Sequence, residues 1–143
     1  MEIHTRDTKE ADRWLRQAEY DLKSADWSQQ GSFFASACFL AQQAGAKALR
    51  AFLYMRKEDA HETRSVVDLL ERAITYEERF KDILGQSSRL DLYYKTARFP
   101  DALPGSIPAD VITERDSKEA INCSSDILSL VEETRKDYLP ETL

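Results

Sequence analysis

One stretch of this 143-residue sequence gathers residue types suited to holding an anion: Asp91, Tyr94, Arg98 and Asp101. If the segment is helical as far as Arg98, then Asp91 and Tyr94, seven and four residues before it, share its face. Pro100 stops the helix, and Asp101 lies near enough to orient the guanidinium. An arginine fork beside tyrosine rings suits a phosphate and a stacked base. The same residues also suit a structural role, an Arg98–Asp101 pair that fixes the turn and fastens the loop behind it. The sequence leaves both roles open. Lys47, on an earlier segment, either faces the same cleft or lies at its edge. A helix C-terminus disfavours an anion, so Arg98 must outweigh that partial charge while Asp101 competes for the guanidinium. Affinity for a mononucleotide should therefore be weak unless a second subunit adds a basic group.

Other chemistries find little support. The sequence holds no G-x-G-x-x-G, Walker A, H-E-x-x-H or G-x-S-x-G pattern and no zinc-ligand spacing. Two histidines, His4 and His61, are too few for most His-based metal sites, and no cofactor is implied. Glu77/Glu78 and Glu132/Glu133 are adjacent pairs that point apart on a helix, so they read as solvated surface. A net charge of −6 argues against a sequence-independent nucleic-acid binder, although a local basic site remains compatible with it. Cys38 and Cys123 sit in apolar patterns, as reduced buried thiols do, and two cysteines do not make a disulfide framework. The polar start, residues 1–7, has no signal-peptide core, and no run is long enough to span a membrane. Cytoplasm is the expected compartment.

The elements that must position these residues read as helices. Four Gly and four Pro in 143 residues are too few for a turn-dense β fold. Thr8 to about Gln29 carries a stripe of Trp14, Leu15, Ala18, Leu22 and Ala25, with Asp7 and Glu10 as a capping pair and Gly31 at its end. Trp14 and Trp27 read as core or core-edge residues. Ser32 to about Arg56 is the strongest helix, its wide stripe running from Phe34 through Ala41, Ala44, Gly45 and Ala48 to Leu53. Gly45 there costs about 1 kcal/mol of helix propensity, which makes sense where a neighbour comes close; this helix should be the most buried element. Ser65 and Asp68 open a third helix, and helical spacing continues from Phe80 to Ala97, with Gly85 either ending a helix or tolerated inside one. FPDALPGSIP is an ordered loop within 98–112. Thr113 and Asp116 cap a last helix striped by Ala120, Ser124, Ile127, Leu128 and Val131, and Pro140 closes the structured chain. The expected architecture is one domain over residues 1–143, an all-α up-and-down bundle of four to five helices. Phe33, Tyr54, Tyr76 and Phe99 lie at or beyond the stripe edges. A bundle this small cannot cover them all, and exposed aromatics mark interfaces, so a homodimer is expected.

Two segments carry a specific resemblance. FFASACFLAQQAGAKALRAFL and LDLYYKTARFPDALPG, in that order, resemble the HEPN family, the higher eukaryotes and prokaryotes nucleotide-binding domain. That family pairs a Q-Q-A-x-E-K-A-L-[KR] helix with a later L-D-x-Y-Y-x-x-x-R-[YF]-P-D segment. Gln42 to Arg50 fit the first pattern, and Leu90 to Asp101 fit the second. The opening R-W-L-x-x-A-x-x-D-L and the closing A-I-x-x-x-x-x-I-L stretch fit as well, so the likeness covers nearly the whole chain. It departs at Ala46, where the family has Glu, and at Arg64, where it often has His before Ser-[LV].

The resemblance implies a dimeric all-α domain that binds nucleotide or RNA, or serves as the non-catalytic partner of a small nucleotidyltransferase in a toxin–antitoxin-type system. It also implies an alternative, a metal-independent ribonuclease using R-x(4–6)-H, with His and Arg acting on the 2′-OH and the scissile phosphate. Arg56 and His61 match that spacing. They lie in the loop after the second helix rather than on a later one, where the family motif is expected, and such a match arises readily by chance. Acid–base chemistry on RNA needs a group that titrates near neutrality, and the other histidine, His4, lies near the terminus. The binding module is therefore the favoured reading, with Arg98, Tyr94, Asp101 and Lys47 as its site and no catalytic residue.

Overall fold

A computed structural model describes residues 5–138. Six α-helices and two 3₁₀ turns make up the elements, with no strand among the described residues. The helices are α1 (Thr5–Gln30), α2 (Phe34–Met55), α3 (Val66–Ile74), α4 (Lys81–Thr96), α5 (Pro108–Val111) and α6 (Glu114–Tyr138). Five are the expected bundle elements. The sixth, α5, is a single turn inside the proline-rich loop, and a 3₁₀ turn at Pro100–Ala102 opens the same loop. Proline at the first position of each turn supplies the fixed φ without losing a needed N–H.

α2 is the centre, with α1 and α6 along its flanks and α3 and α4 closing the remaining side. Its stripe is buried from Ala37 to Met55. Gly45 explains how α6 comes so near: a Cβ there would sit 3.1 Å from Ser124 Oγ and 3.3 Å from Ile127 Cδ1. Ser124 donates to the Ala41 carbonyl at the same crossing. Gly85 has the opposite setting. It lies within α4, exposed, with nothing within 4 Å of a built Cβ. Cys38 and Cys123 are buried free thiols, and burial, ahead of nearby acidic charge, pushes them up to about 12 and about 11.

Local chemistry sets the ends. Thr113 and Asp116 form a reciprocal capping box at the start of α6, backbone to side chain in both directions at 2.9 and 3.2 Å. α1 departs from the sequence reading, since it begins at Thr5 and Asp7 lies inside its first turn instead of capping it. At the other end the left-handed residue is Ser32 (φ 67°), not Gly31. The Phe33 N–H reaches back to Ser28 O and that of Ser32 to Gln29 O, a Schellman closure.

Trp27 is also a correction. It is 67% exposed, because it lies about 200° round the helix from the buried Ala25. Trp14 is half-buried and stacks on Tyr54, which is thereby covered, whereas Phe33, Tyr76 and Phe99 remain exposed. His4 and Pro140 lie outside the described residues.

Candidate functional site

α4 delivers the central residues. Tyr94 lies half-buried on its last turn, and its ring meets Phe39 of α2 with centroids 6.3 Å apart. The helix ends at Thr96, two residues before Arg98, so Arg98 leaves from the turn rather than from the helix face. Its Nε donates to the Tyr94 carbonyl at 2.8 Å, which satisfies an orphan carbonyl of the helix end. The guanidinium carbon lies 4.3 Å from the Phe39 ring centroid, 4.7 Å from Tyr94 and 4.8 Å from Phe99. Three rings and a backbone carbonyl hold this arginine in place. Arg98 is exposed, and among the described residues no carboxylate lies within 4 Å of it.

Asp101 makes no hydrogen bond or ion pair with Arg98. It lies exposed in a shallow depression with Lys95, Phe99 and Ala102. The turn is therefore not fixed by an Arg98–Asp101 pair. Lys47 is engaged elsewhere, its Nζ 2.6 Å from Asp21 Oδ2 in the seam between α1 and α2, where Gln17 also donates to Asp21 at 2.9 Å. Of the four expected site residues, the structure brings Tyr94 and Arg98 into contact and places Asp101 and Lys47 apart from them.

Asp91 does not join Arg98 either. Its carboxylate accepts from Ser65 Oγ (2.8 Å), Val66 N (2.6 Å) and Val67 N (3.1 Å). Ser65 Oγ in turn accepts from Asp68 N at 3.1 Å. Together they cap the first turn of α3 from two directions and pin α3 to α4. The approach to this cap is held from α2: buried Gln42 donates to Arg64 O at 3.0 Å, and Arg50 donates to Thr63 O.

Arg56 and His61 each contact other residues. The Arg56 guanidinium covers the Phe52 ring at 3.8 Å, while exposed His61 bonds to Asp59 within its own loop through Nδ1 at 3.1 Å. The adjacent glutamates diverge: Glu77 takes Arg79, and Glu78 lies 3.7 Å from Lys81. Glu132 is raised by burial and then by Glu19, whereas Glu133 lies toward Arg79.

Two features escaped the sequence reading. Phe39, the third ring around Arg98, is an apolar residue of α2 that lies off the main stripe, and that displacement was the available signal. The second is a cleft of about 280 Å³ between α4 and α6, lined by Leu90, Tyr93, Ala120 and Cys123 and bridged by Arg89–Glu119 at 2.6 Å. Burial, with Cys38 and Asp116 nearby, pushes Tyr93 up to about 12, so its hydroxyl stays protonated. Among the described residues no group of His, Cys, Asp or Glu could hold a metal ion, and no helix is long and apolar enough to cross a membrane.

Residues 11–134 match the HEPN domain family. The crystal structure of TT1696 from Thermus thermophilus is similar at 35% identity, covering 86% of this chain and 96% of that one, with a TM-score of 0.81. ST0689, described as an archaeal HEPN homologue, is 34% identical over 87% of this chain and 96% of its own, with a TM-score of 0.72. No curated protein matches this chain.

Proposed function

The chain belongs to the HEPN domain family, and from that footing we propose that it is a non-catalytic module that binds nucleotide or RNA and partners a small nucleotidyltransferase in a toxin–antitoxin-type system. The observation that carries the reading is Arg98. A guanidinium stacked among Phe39, Tyr94 and Phe99, with no carboxylate opposite it among the described residues, is pre-organised for a phosphate or a base edge. Pre-ordering limits the rotamer entropy lost on binding. Tyr94 supplies the supporting ring. Asp101 and Lys47 complete the proposed site only if ligand draws them in, Lys47 by leaving Asp21. A cytoplasmic homodimer is part of the same proposal, supported by exposed Phe33, Tyr76 and Phe99. The ribonuclease alternative has weaker support, because His61 is bonded to Asp59 and Arg56 packs on Phe52.

Incubating the purified protein with total RNA, beside an Arg98→Ala variant, tests the reading. RNA retained intact by the wild type and released by the variant is the expected result. Cleavage by the wild type that disappears in the variant overturns it in favour of the nuclease.

A further inference from the structure

The outward side of α1 carries a pattern that the bundle does not use. Ala11, Leu15, Ala18 and Ala25 are buried and set the inward direction of this helix, which packs against α2 and α6. About 160° round from them runs a second row: Lys9, Arg13, Arg16, Tyr20, Lys23 and Trp27, at spacings of four and three residues. All six are exposed. With Phe33, Tyr20 (68%) and Trp27 (67%) are the most exposed large apolar side chains among the described residues. The row is about 27 Å long and occupies a strip about 80° wide, and no Asp or Glu falls inside that strip.

The acids beside the strip are engaged or turned away. Glu10 pairs with Arg13 at 2.7 Å, and Asp12 with Arg135 of α6 at 2.5 Å. Asp21 holds Lys47, and Asp26 accepts from Gln30 at 2.8 Å. Glu19 lies toward Glu132 on the α6 side. Lys9, Arg16 and Lys23 have no carboxylate within 4 Å among the described residues.

We infer that this face of α1 is a docking surface for an anionic lipid membrane, which the helix would lie along without crossing. A row on the outermost line of a helix touches a flat surface along its whole length at once. Tyr20 and Trp27 each join an apolar body to a polar tip, the form that settles at headgroup level. Long basic side chains between the rings reach lipid phosphates while their stems lie along apolar surface. A chain of net charge −6 approaches a negative surface only through a face from which its acids are absent, and this strip is such a face. A second copy fits less well. A two-fold contact would set the row against itself, with Arg16 and Lys23 facing the same cations and no acid between them.

Co-sedimentation of the full chain with vesicles of phosphatidylcholine alone, or with three parts in ten of phosphatidylglycerol, tests the inference. The wild type should bind the anionic vesicles at least about tenfold more tightly than the neutral ones, and its emission should shift to the blue. Trp27→Phe should lose most of that shift, because Trp14, the other tryptophan, is half-buried. The double variant Arg16→Gln, Lys23→Gln should weaken binding about 20-fold, at about fivefold for each charge near the surface. Both positions are exposed, so its thermal unfolding should match the wild type. Arg98→Ala, which lies outside the row, should bind vesicles as the wild type does. Equal binding to the two vesicles, no binding to either, an unaffected double variant or a loss in Arg98→Ala would overturn the inference. Indifference to vesicles with an oligomeric state altered in the double variant would overturn it in favour of a second copy. Indifference with oligonucleotide binding lost in the double variant would overturn it in favour of nucleic acid.

Discussion

Asp91 and Arg98 lie seven residues apart around the end of α4, and their polar atoms end in opposite circumstances. Asp91 is satisfied within the fold, its two oxygens accepting three hydrogen bonds from the start of α3. Arg98 is held but faces solvent, since one nitrogen bonds to a carbonyl, three rings surround the guanidinium and no carboxylate lies within 4 Å of it among the described residues. A charged side chain with all its partners inside the fold serves stability. One that is fixed and still lacks a partner is available for a ligand. The comparison sorts two residues that look alike in the sequence.

The largest effect expected from breaking it is on stability at Asp91. Asp91→Ala leaves the first N–H groups of α3 without their acceptor and should cost about 3 kcal/mol in urea unfolding, with ligand affinity of the folded protein unchanged. A loss of affinity at unchanged stability would reverse the assignment. Lys47 comes next. Lys47→Ala strands the buried Asp21 and should cost about 2 kcal/mol, much of it regained when Asp21→Asn is added. A loss that Asp21→Asn does not relieve would mean that Lys47 does more than neutralise Asp21. Gly85→Ala sharpens the picture from the other direction. With open space around a built Cβ, it should stabilise α4, the helix that carries Asp91 and Tyr94, by up to about 1 kcal/mol in thermal unfolding. The smallest change in stability is expected for Arg98→Ala, at most about 1 kcal/mol through the lost ring contacts. A larger cost would make Arg98 a structural residue like Asp91.

What the sequence made legible follows from range. The α2 stripe, the close approach at Gly45, the Ser65 cap and the Thr113–Asp116 box depend on periodicity or on neighbours within four residues, and each stands in the structure. Asp91 capping α3 from α4, and Asp21 holding Lys47 across the α1–α2 seam, join residues about 25 positions apart in chain order, which no local spacing encodes. The Arg98–Asp101 pair failed for a different reason. Both residues lie past the helix end, where a single turn decides direction, and the 3₁₀ turn at Pro100 takes Asp101 away. Trp27 shows that size and aromaticity do not place a residue inside when its angle on the helix points outward.

The central claim is that Arg98 is kept free for an anion. Calorimetric titration of a nucleotide into the wild type, Arg98→Ala and Asp91→Ala, at a temperature where all three are folded, tests it most directly. Arg98→Ala should weaken binding about tenfold or more, the worth of one charge-assisted hydrogen bond, while Asp91→Ala should bind as the wild type does. Equal affinity in the wild type and Arg98→Ala would contradict the claim.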